Sequence, residues 1–166
     1  MIKGQDIVVL AALMDSRRQN DTYAELGVRV CLSASETHAA VNRLLNAVLI
    51  TASRRALWRN AMEFLVHGIR YTFPLRSAGA MARGLPTAYA APVAEGRFAA
   101  TGICPVWSWN GGSMYGQPVE PLYRTAPEAA ANDRGLYDRL ALIDMLRGGR
   151  LRERLFAQKK LEEMIA

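Results

Sequence analysis

Apolar residues near the start of the chain recur at helical spacing. Four of them follow the i, i+3, i+4, i+7 pattern that places side chains on one helical face: Ile7, Leu10, Ala11 and Met14. This pattern predicts a first helix over residues 5–15. The polar pair Asn20-Asp21 then breaks the apolar spacing, so the helix is expected to end before it.

Two capping boxes predict a pair of short helices after that break. Thr22 is followed three residues later by Glu25, and Ser33 is followed in the same way by Glu36. In such a box the hydroxyl and the carboxylate each accept a hydrogen bond from a backbone N–H that has no partner within the helix. The second of the two helices has apolar residues at helical spacing: Val41, Leu44, Leu45 and Val48. A tight turn is expected between the two helices.

The next segment predicts a further helix and then two strands. Ser53 can cap a helix over residues 53–66. Segments 69–73 and 87–93 contain aromatic and β-branched residues that favour strands. Glycine and proline between them, over residues 74–86, predict a long hairpin tip.

The second half is predicted to begin as irregular or β structure and to end in helices. Residues 105–121 contain too many glycines and prolines for a helix, and Asn110-Gly111 is a tight-turn signal. Thr125 and Glu128 form a third capping box. The helix that ends at Gly148-Gly149 has an apolar stripe of Leu136, Leu140, Ile143 and Leu146, and a last helix is predicted over residues 151–165. The expected fold is therefore α+β, mainly α, with a C-terminal β/helical extension.

Charge adds a candidate partner to this picture. The 166 residues include 21 Lys+Arg against 15 Asp+Glu, and 18 of these basic residues are arginine, whose planar guanidinium suits phosphates and base edges. From Arg29 to Arg83 the chain holds eight basic residues and two acidic ones, Glu36 and Glu63. A basic concentration of this kind is typical of a surface that binds nucleic acid.

Several other classes of protein are disfavoured by the sequence. Its apolar runs are shorter than the roughly 20 residues that a membrane span requires, and no stretch has the pattern of a signal peptide, so a cytoplasmic location is expected. Two cysteines and two histidines without ligand spacing predict neither a metal nor a cofactor. A phosphate-binding glycine loop and a nucleophile elbow are both missing from the sequence, so no enzymatic activity is expected.

The segment after the first helix resembles a known DNA-binding motif. Residues 22–50 read TYAELGVRVCLSASETHAAVNRLLNAVLI, and they resemble the helix-turn-helix of winged-helix transcription regulators of the MarR-like type. The resemblance implies a winged helix-turn-helix DNA-binding domain over residues 1–93. In this chain an extra predicted helix precedes the two strands that would form the wing.

A recognition helix needs an apolar face against its scaffold and a polar face toward the major groove. Four residues are expected to face inward: Thr37, Val41, Leu44 and Val48. The outward residues are Ser35, Glu36, His38, Ala39, Asn42 and Arg43. Asn42 suits adenine, Arg43 suits guanine or phosphate, and Ala39 suits a thymine methyl group, whereas Glu36 is expected to cap the helix. The expected contacts to phosphates or to a minor groove come from Arg54, Arg55, Arg59, Arg76 and Arg83.

The remaining residues, 94–166, are predicted to serve dimerisation, a protein partner or an effector. Trp107 and Trp109 indicate core or interface, or a cleft for a small apolar effector. Residues 144–154 also resemble a short C-terminal stretch of bacterial regulators encoded beside nucleotidyltransferase-type toxins. The leading hypothesis is a sequence-specific double-stranded DNA-binding transcriptional regulator, a repressor acting as a homodimer. The alternative is a protein-interaction module, such as an antitoxin or adaptor of a toxin or phage-defence system.

Overall fold

A computed structural model describes residues 1–99 and 102–165, and the fold is α+β with a small three-stranded sheet. The three predicted N-terminal helices are present as α1 (Gly4–Leu13), α2 (Tyr23–Val30) and α3 (Ala34–Asn46). A 3₁₀ turn, Ser16–Arg18, lies between α1 and α2. Helix α1 is buried along most of its length, and both α2 and α3 pack against it.

Both predicted capping boxes at α2 and α3 are confirmed. Thr22 N–H donates to Glu25 Oε2 at 2.7 Å, and Glu25 N–H donates to Thr22 Oγ1 at 3.2 Å. The corresponding distances for Ser33 and Glu36 are 3.0 and 3.1 Å. The connection between the helices is tight because Cys31 adopts a left-handed conformation and closes α2.

The close approach of α2 to α3 requires a glycine. A Cβ atom placed on Gly27 would lie 2.7 Å from the carbonyl oxygen of Leu32 and 3.1 Å from Thr37 Oγ1. The first distance is shorter than real Cβ contacts, and the atom it meets belongs to the backbone. Gly27 thus allows the first turn of α3 to sit directly on α2.

The region predicted as one helix and a strand is a longer helical segment. It begins at α4 (Trp58–Glu63), passes through a π-helical stretch (Phe64–Gly68) and ends in α5 (Ile69–Thr72). The prediction that Ser53 starts this helix was wrong, as was the prediction of a strand over residues 69–73. The physical reason is packing: Ala61, Leu65 and Ile69 are spaced four apart and are all fully buried, so the helical face continues through the aromatic and β-branched residues.

The sheet contains β1 (Ala82–Pro86), β2 (Pro105–Ser108) and β3 (Met114–Pro118). Strand β1 pairs antiparallel with both of the others, and β2 pairs in parallel with β3, so the three strands close on themselves. The turn at Asn110-Gly111 lies between β2 and β3, but these strands do not form an antiparallel hairpin across it.

The described residues do not form the predicted two-stranded wing. Segment 87–93 holds 3₁₀ turns at Ala88–Ala90 and Pro92–Ala94, and β1 lies within the predicted hairpin tip. Thr87 is fully buried and donates a hydrogen bond to Asp144 at 2.8 Å, so this segment is anchored to the core and does not extend as a strand. The sheet packs on the C-terminal part of the molecule and is built from both halves of the chain.

Three helices complete the fold: α6 (Ala126–Asn132), α7 (Arg134–Gly148) and α8 (Leu151–Glu163). The four predicted apolar positions of α7 are all buried. The third capping box is wrong, because the Thr125 hydroxyl does not cap α6 but donates to the Val30 carbonyl at 3.2 Å. Helices α1 and α7 pack together, so residues on both sides of the predicted boundary at 93 share one apolar core.

Arg29 joins α2 to α7 through three carboxylates. Its Nη1 lies 2.9 Å from Asp21 Oδ2, and its Nη2 lies 3.3 Å from Asp133 Oδ2 and 3.8 Å from Asp15 Oδ2. Asp133 also caps α7, since it accepts the N–H of Leu136 at 3.0 Å. The helix pair α2–α3 is therefore fastened to the start of α7 by ion pairs as well as by apolar packing.

A second buried cluster fastens the other end of α7 to the sheet. Asp144, fully buried, accepts hydrogen bonds from Thr87 Oγ1 and Trp107 Nε1 at 2.8 Å each and from Arg147 Nη1 at 2.6 Å. Arg147 Nε also donates to the Phe73 carbonyl at 2.7 Å. Burial raises the pKa of the Asp144 carboxyl, and the bonds from its three partners offset part of that rise. None of the described helices combines the length and apolar character needed to cross a membrane.

Candidate functional site

Helix α3 has one buried face and one exposed polar face. Thr37, Val41 and Leu44 are buried, as predicted. Ser35, His38 and Asn42 are exposed on the opposite side, and Ala39 between them is half-buried. The apolar side of α3 thus packs against α1 and α2, and its polar side faces solvent.

Val48 differs from the predicted inward position. It follows Ala47, the C-terminal cap of α3, and its side chain is 57% exposed. Its φ of 57° lies in the left-handed region, which is strained for a β-branched residue. The Asn60 amide donates to the Val48 carbonyl at 2.8 Å and helps to hold this conformation.

The exposed face of α3 is continuous with side chains from two other segments. His38 lies edge-to-face with Tyr23 of α2, with ring centroids 5.0 Å apart, and its Nδ1 is 3.3 Å from the Asn42 amide nitrogen. The Arg54 guanidinium lies over the Tyr23 ring, 4.7 Å from its centroid. We call the connected set of Ser35, His38, Ala39, Asn42, Tyr23 and Arg54 the α3 surface.

Tyr23 is the member of the α3 surface that the sequence did not predict. Its spacing places it on α2 beside apolar Leu26, which indicates packing and not exposure to a ligand. The contacts to His38 and Arg54 join residues that are far apart along the chain, so no local pattern reveals them. The Tyr23 ring thereby connects Arg54, in the loop after α3, to His38 on the polar face of α3.

Arg43 is not free to contact a base as predicted. Its Nε donates to Asp6 Oδ2 at 2.8 Å and its Nη2 donates to Asp6 Oδ1 at 2.7 Å, a two-point bond to a fully buried carboxylate of α1. This bond raises the pKa of the Arg43 guanidinium, burial acting in the opposite direction. Arg43 therefore anchors α3 to α1.

Three predicted arginines follow α3 in the loop and at the start of α4: Arg54, Arg55 and Arg59. An antiparallel bridge between Ile50 and Ala56 closes the connecting loop, and Arg54 Nη1 donates to the Asp21 carbonyl at 2.7 Å. Arg55 in the same loop and Arg59 on the first turn of α4 are exposed. Arg54 is thus the predicted arginine of this segment whose described contacts place it in the α3 surface.

Arg76 and Arg83 belong to a different part of the fold. Arg83 is an exposed residue of β1 opposite Tyr115, and the Arg76 carbonyl accepts the N–H of Glu120 at 2.8 Å. The chain just before Arg76 is bonded to Arg147 near the C-terminal end of α7. The α2–α3 pair is fastened near the opposite end of α7 from that chain, and none of the described contacts joins Arg76 or Arg83 to the α3 surface.

The acidic side chains nearest the ends of α2 and α3 are engaged in capping. The backbone N–H and the hydroxyl of Ser33 hold the pKa of Glu36 below its ordinary value, and Thr22 acts on Glu25 in the same way. Both carboxylates accept backbone hydrogen bonds while ionised. Glu25 and Glu36 thus cap the starts of α2 and α3.

The described residues contain no group of three or more potential metal ligands. Trp107 is buried and donates to Asp144, so the core interpretation is confirmed for this residue, and it does not line a cleft with Trp109. Comparison with family models, with curated proteins and with solved structures finds no significant match for this chain.

Proposed function

We propose that the protein is a sequence-specific double-stranded DNA-binding regulator that inserts α3 into the major groove. The observation that carries this proposal is the α3 surface: a helix held by its apolar side, with exposed Ser35, His38 and Asn42 facing solvent. A helix of this kind fits the major groove of B-form DNA. In a helix-turn-helix formed by α2 and α3, this exposed face is the one that contacts the bases.

The proposed roles follow from side-chain chemistry. Asn42 presents an amide that can pair with N6 and N7 of adenine, and Ala39 presents a methyl group suited to thymine. Ser35 lies in the first turn, where a recognition helix enters the groove. Arg54, Arg55 and Arg59 supply positive charge for the phosphates on either side.

A regulator of this kind acts as a two-fold dimer in our proposal, because one recognition helix reads only a few base pairs. Helix α7 is buried within the chain and cannot supply the dimer contact. Helix α8 exposes Leu155, at 56%, on its outer side and is the better candidate. Repression follows when such a dimer occupies a promoter and excludes the polymerase.

A protein-docking function is the second candidate, and exposed apolar residues favour it. Val28 on α2 is 79% exposed, and Leu45 and Val48 are exposed at the end of α3. These residues border the same helix pair. An antitoxin or adaptor would use them to contact a protein partner in place of DNA.

The decisive experiment is selection of duplex DNA from a randomised pool by the purified chain. We expect enrichment of one sequence, with an affinity that falls steeply as salt rises, because phosphate contacts release counterions. Asn42→Ala should relax the base preference at one position and cost about 1–3 kcal/mol there. Arg55→Ala and Arg59→Ala should each weaken enriched and random duplexes alike and reduce the salt slope by about 1.

Arg83→Ala is the matched control, since it removes the same charge from an exposed position of β1 that has no described contact with the α3 surface. It should leave DNA affinity unchanged. Failure to enrich any sequence, together with affinity that does not depend on salt, would exclude DNA binding. Equal losses for Arg55→Ala and Arg83→Ala would show that the charge acts globally and that α3 is not the interface.

A further inference from the structure

We propose a second site: a cleft where α7 meets α8 binds an amphipathic anion, a molecule with a carboxylate or sulfonate on an apolar body. The cleft has a volume of about 780 Å³, and its described lining comes from the segment after α5, the chain around Tyr89, the strand ends and the first turn of α8. Ligand pockets of roughly 300–1,000 Å³ hold molecules of metabolite size. The site is separate from the α3 surface and does not depend on DNA binding.

The wall of the cleft is apolar and open to a ligand. Leu75, Phe98, Ile103 and Leu151 line it. Ile103 and Leu151 are 58% and 61% exposed, so the chain itself leaves much of these large apolar side chains uncovered. Covering them with a hydrocarbon or aryl group removes apolar surface from water, which is the main source of affinity for such a ligand.

The polar part of the lining is cationic. Arg97, Arg150 and Arg152 contribute to it, and among the described lining residues the acidic one is Glu153. The Glu153 carboxylate already accepts the backbone N–H of Arg150 at 2.5 Å and so caps α8. Three arginines against one glutamate leave the described lining with an excess of positive charge, and this excess selects an anion.

Tyr89 forms a further polar point within the lining. Its hydroxyl donates to the Ile103 carbonyl at 3.4 Å and ties the two sides of the cleft together. Burial raises the pKa of Tyr89, and the Glu153 carboxylate adds to the rise, so the phenol keeps its proton at neutral pH. A neutral phenol beside guanidinium groups suits a ligand with one anionic end and one apolar end.

The test uses decanoate as the probe, with decanol as its neutral counterpart and inorganic phosphate as an anion without an apolar body. Binding to the full chain is measured by isothermal titration calorimetry, and its position by amide chemical-shift changes. We expect decanoate to bind at least tenfold more tightly than decanol and phosphate. The shifts should centre on Leu75, Ile103 and the first turn of α8.

Two variants test the two parts of the site independently. Ile103→Trp fills the cleft at an exposed position and should abolish decanoate binding, whereas Arg150→Gln keeps the cleft open and should weaken decanoate at least fivefold while leaving decanol unchanged. Arg134→Gln, at the exposed start of α7, removes the same charge elsewhere and should have no effect. Equal affinity for decanoate and decanol, phosphate binding as tight as decanoate binding, or unchanged binding in both cleft variants would overturn the proposal.

Discussion

Arg43 and Asp6 form a two-point ion pair between α3 and α1, with N–O distances of 2.7 and 2.8 Å. The Asp6 carboxylate is fully buried, so Arg43 is the charge that compensates it. The orientation of α3 on its scaffold thus depends on a residue that would otherwise be assigned to its DNA-reading face. Affinity measurements on Arg43 variants therefore report on folding as well as on recognition.

Arg43→Ala should lower the free energy of unfolding by roughly 3 kcal/mol, because it leaves a buried carboxylate without its cationic partner. Urea denaturation at neutral pH measures this change. The double variant Asp6→Leu with Arg43→Leu should recover part of the loss, since it removes both charges from the interface but also the bond from the Lys3 N–H to Asp6. Full stability in Arg43→Ala, combined with a loss of base preference, would return Arg43 to the set of base-contacting residues.

Asp144→Asn should destabilise the fold by roughly 3 kcal/mol, because buried Arg147 then lacks a carboxylate partner. Thermal and urea unfolding would both show the loss. Asp138→Asn on the same helix is the control: Asp138 pairs at 2.9 Å with Arg134, which is exposed, so its loss should cost less than about 1 kcal/mol. Equal losses in the two variants would contradict a clamping role for Asp144.

Val48→Asn should raise the free energy of unfolding by about 1 kcal/mol, since asparagine tolerates the left-handed conformation better than a β-branched residue does. Val48 has a φ of 57° and is largely exposed, so little packing is lost. Val28→Asn makes the same chemical change at an exposed position within α2 and should bring no gain. A loss of stability at Val48 would mean that its side chain is needed for packing.

The stability of the helix pair should fall in acid through Glu25 and Glu36. Their pKa values lie below the ordinary 4.5, because the ionised carboxylates accept backbone hydrogen bonds from Thr22 and Ser33. A lowered folded-state pKa stabilises the protein above the unfolded value, and this contribution disappears as the pH falls through the folded value. The free energy of unfolding should therefore decrease below pH 4.5 for this reason.

The double variant Glu25→Gln with Glu36→Gln should be less stable at pH 7 and should lose less stability between pH 7 and pH 3 than the unaltered chain. Glu63→Gln, at an exposed position of α4, serves as a control for removing a surface carboxylate. Urea titrations at the two pH values provide the comparison. Identical acid sensitivity in the double variant and the unaltered chain would rule out the capping contribution.

The candidate site was predictable where its determinants are local. Ser35, His38 and Asn42 are exposed because they lie on the side of α3 opposite Thr37, Val41 and Leu44, and helical periodicity alone indicates this. Arg43 lies at the edge of that face, where periodicity does not decide between solvent and a neighbouring carboxylate. Its partner Asp6 is 37 residues away along the chain.

The amino-acid sequence by itself determined the starts of α2 and α3 and the buried stripe of α7. A capping box acts over three residues and an apolar stripe repeats every turn, so both are complete within one segment. Only the tertiary structure decided that Ile69 continues a helix, that β1 pairs with two strands from the second half, and that Asp144 is buried beside Trp107. These features depend on contacts between distant segments, and packing energy there outweighs the local preferences of the residues involved.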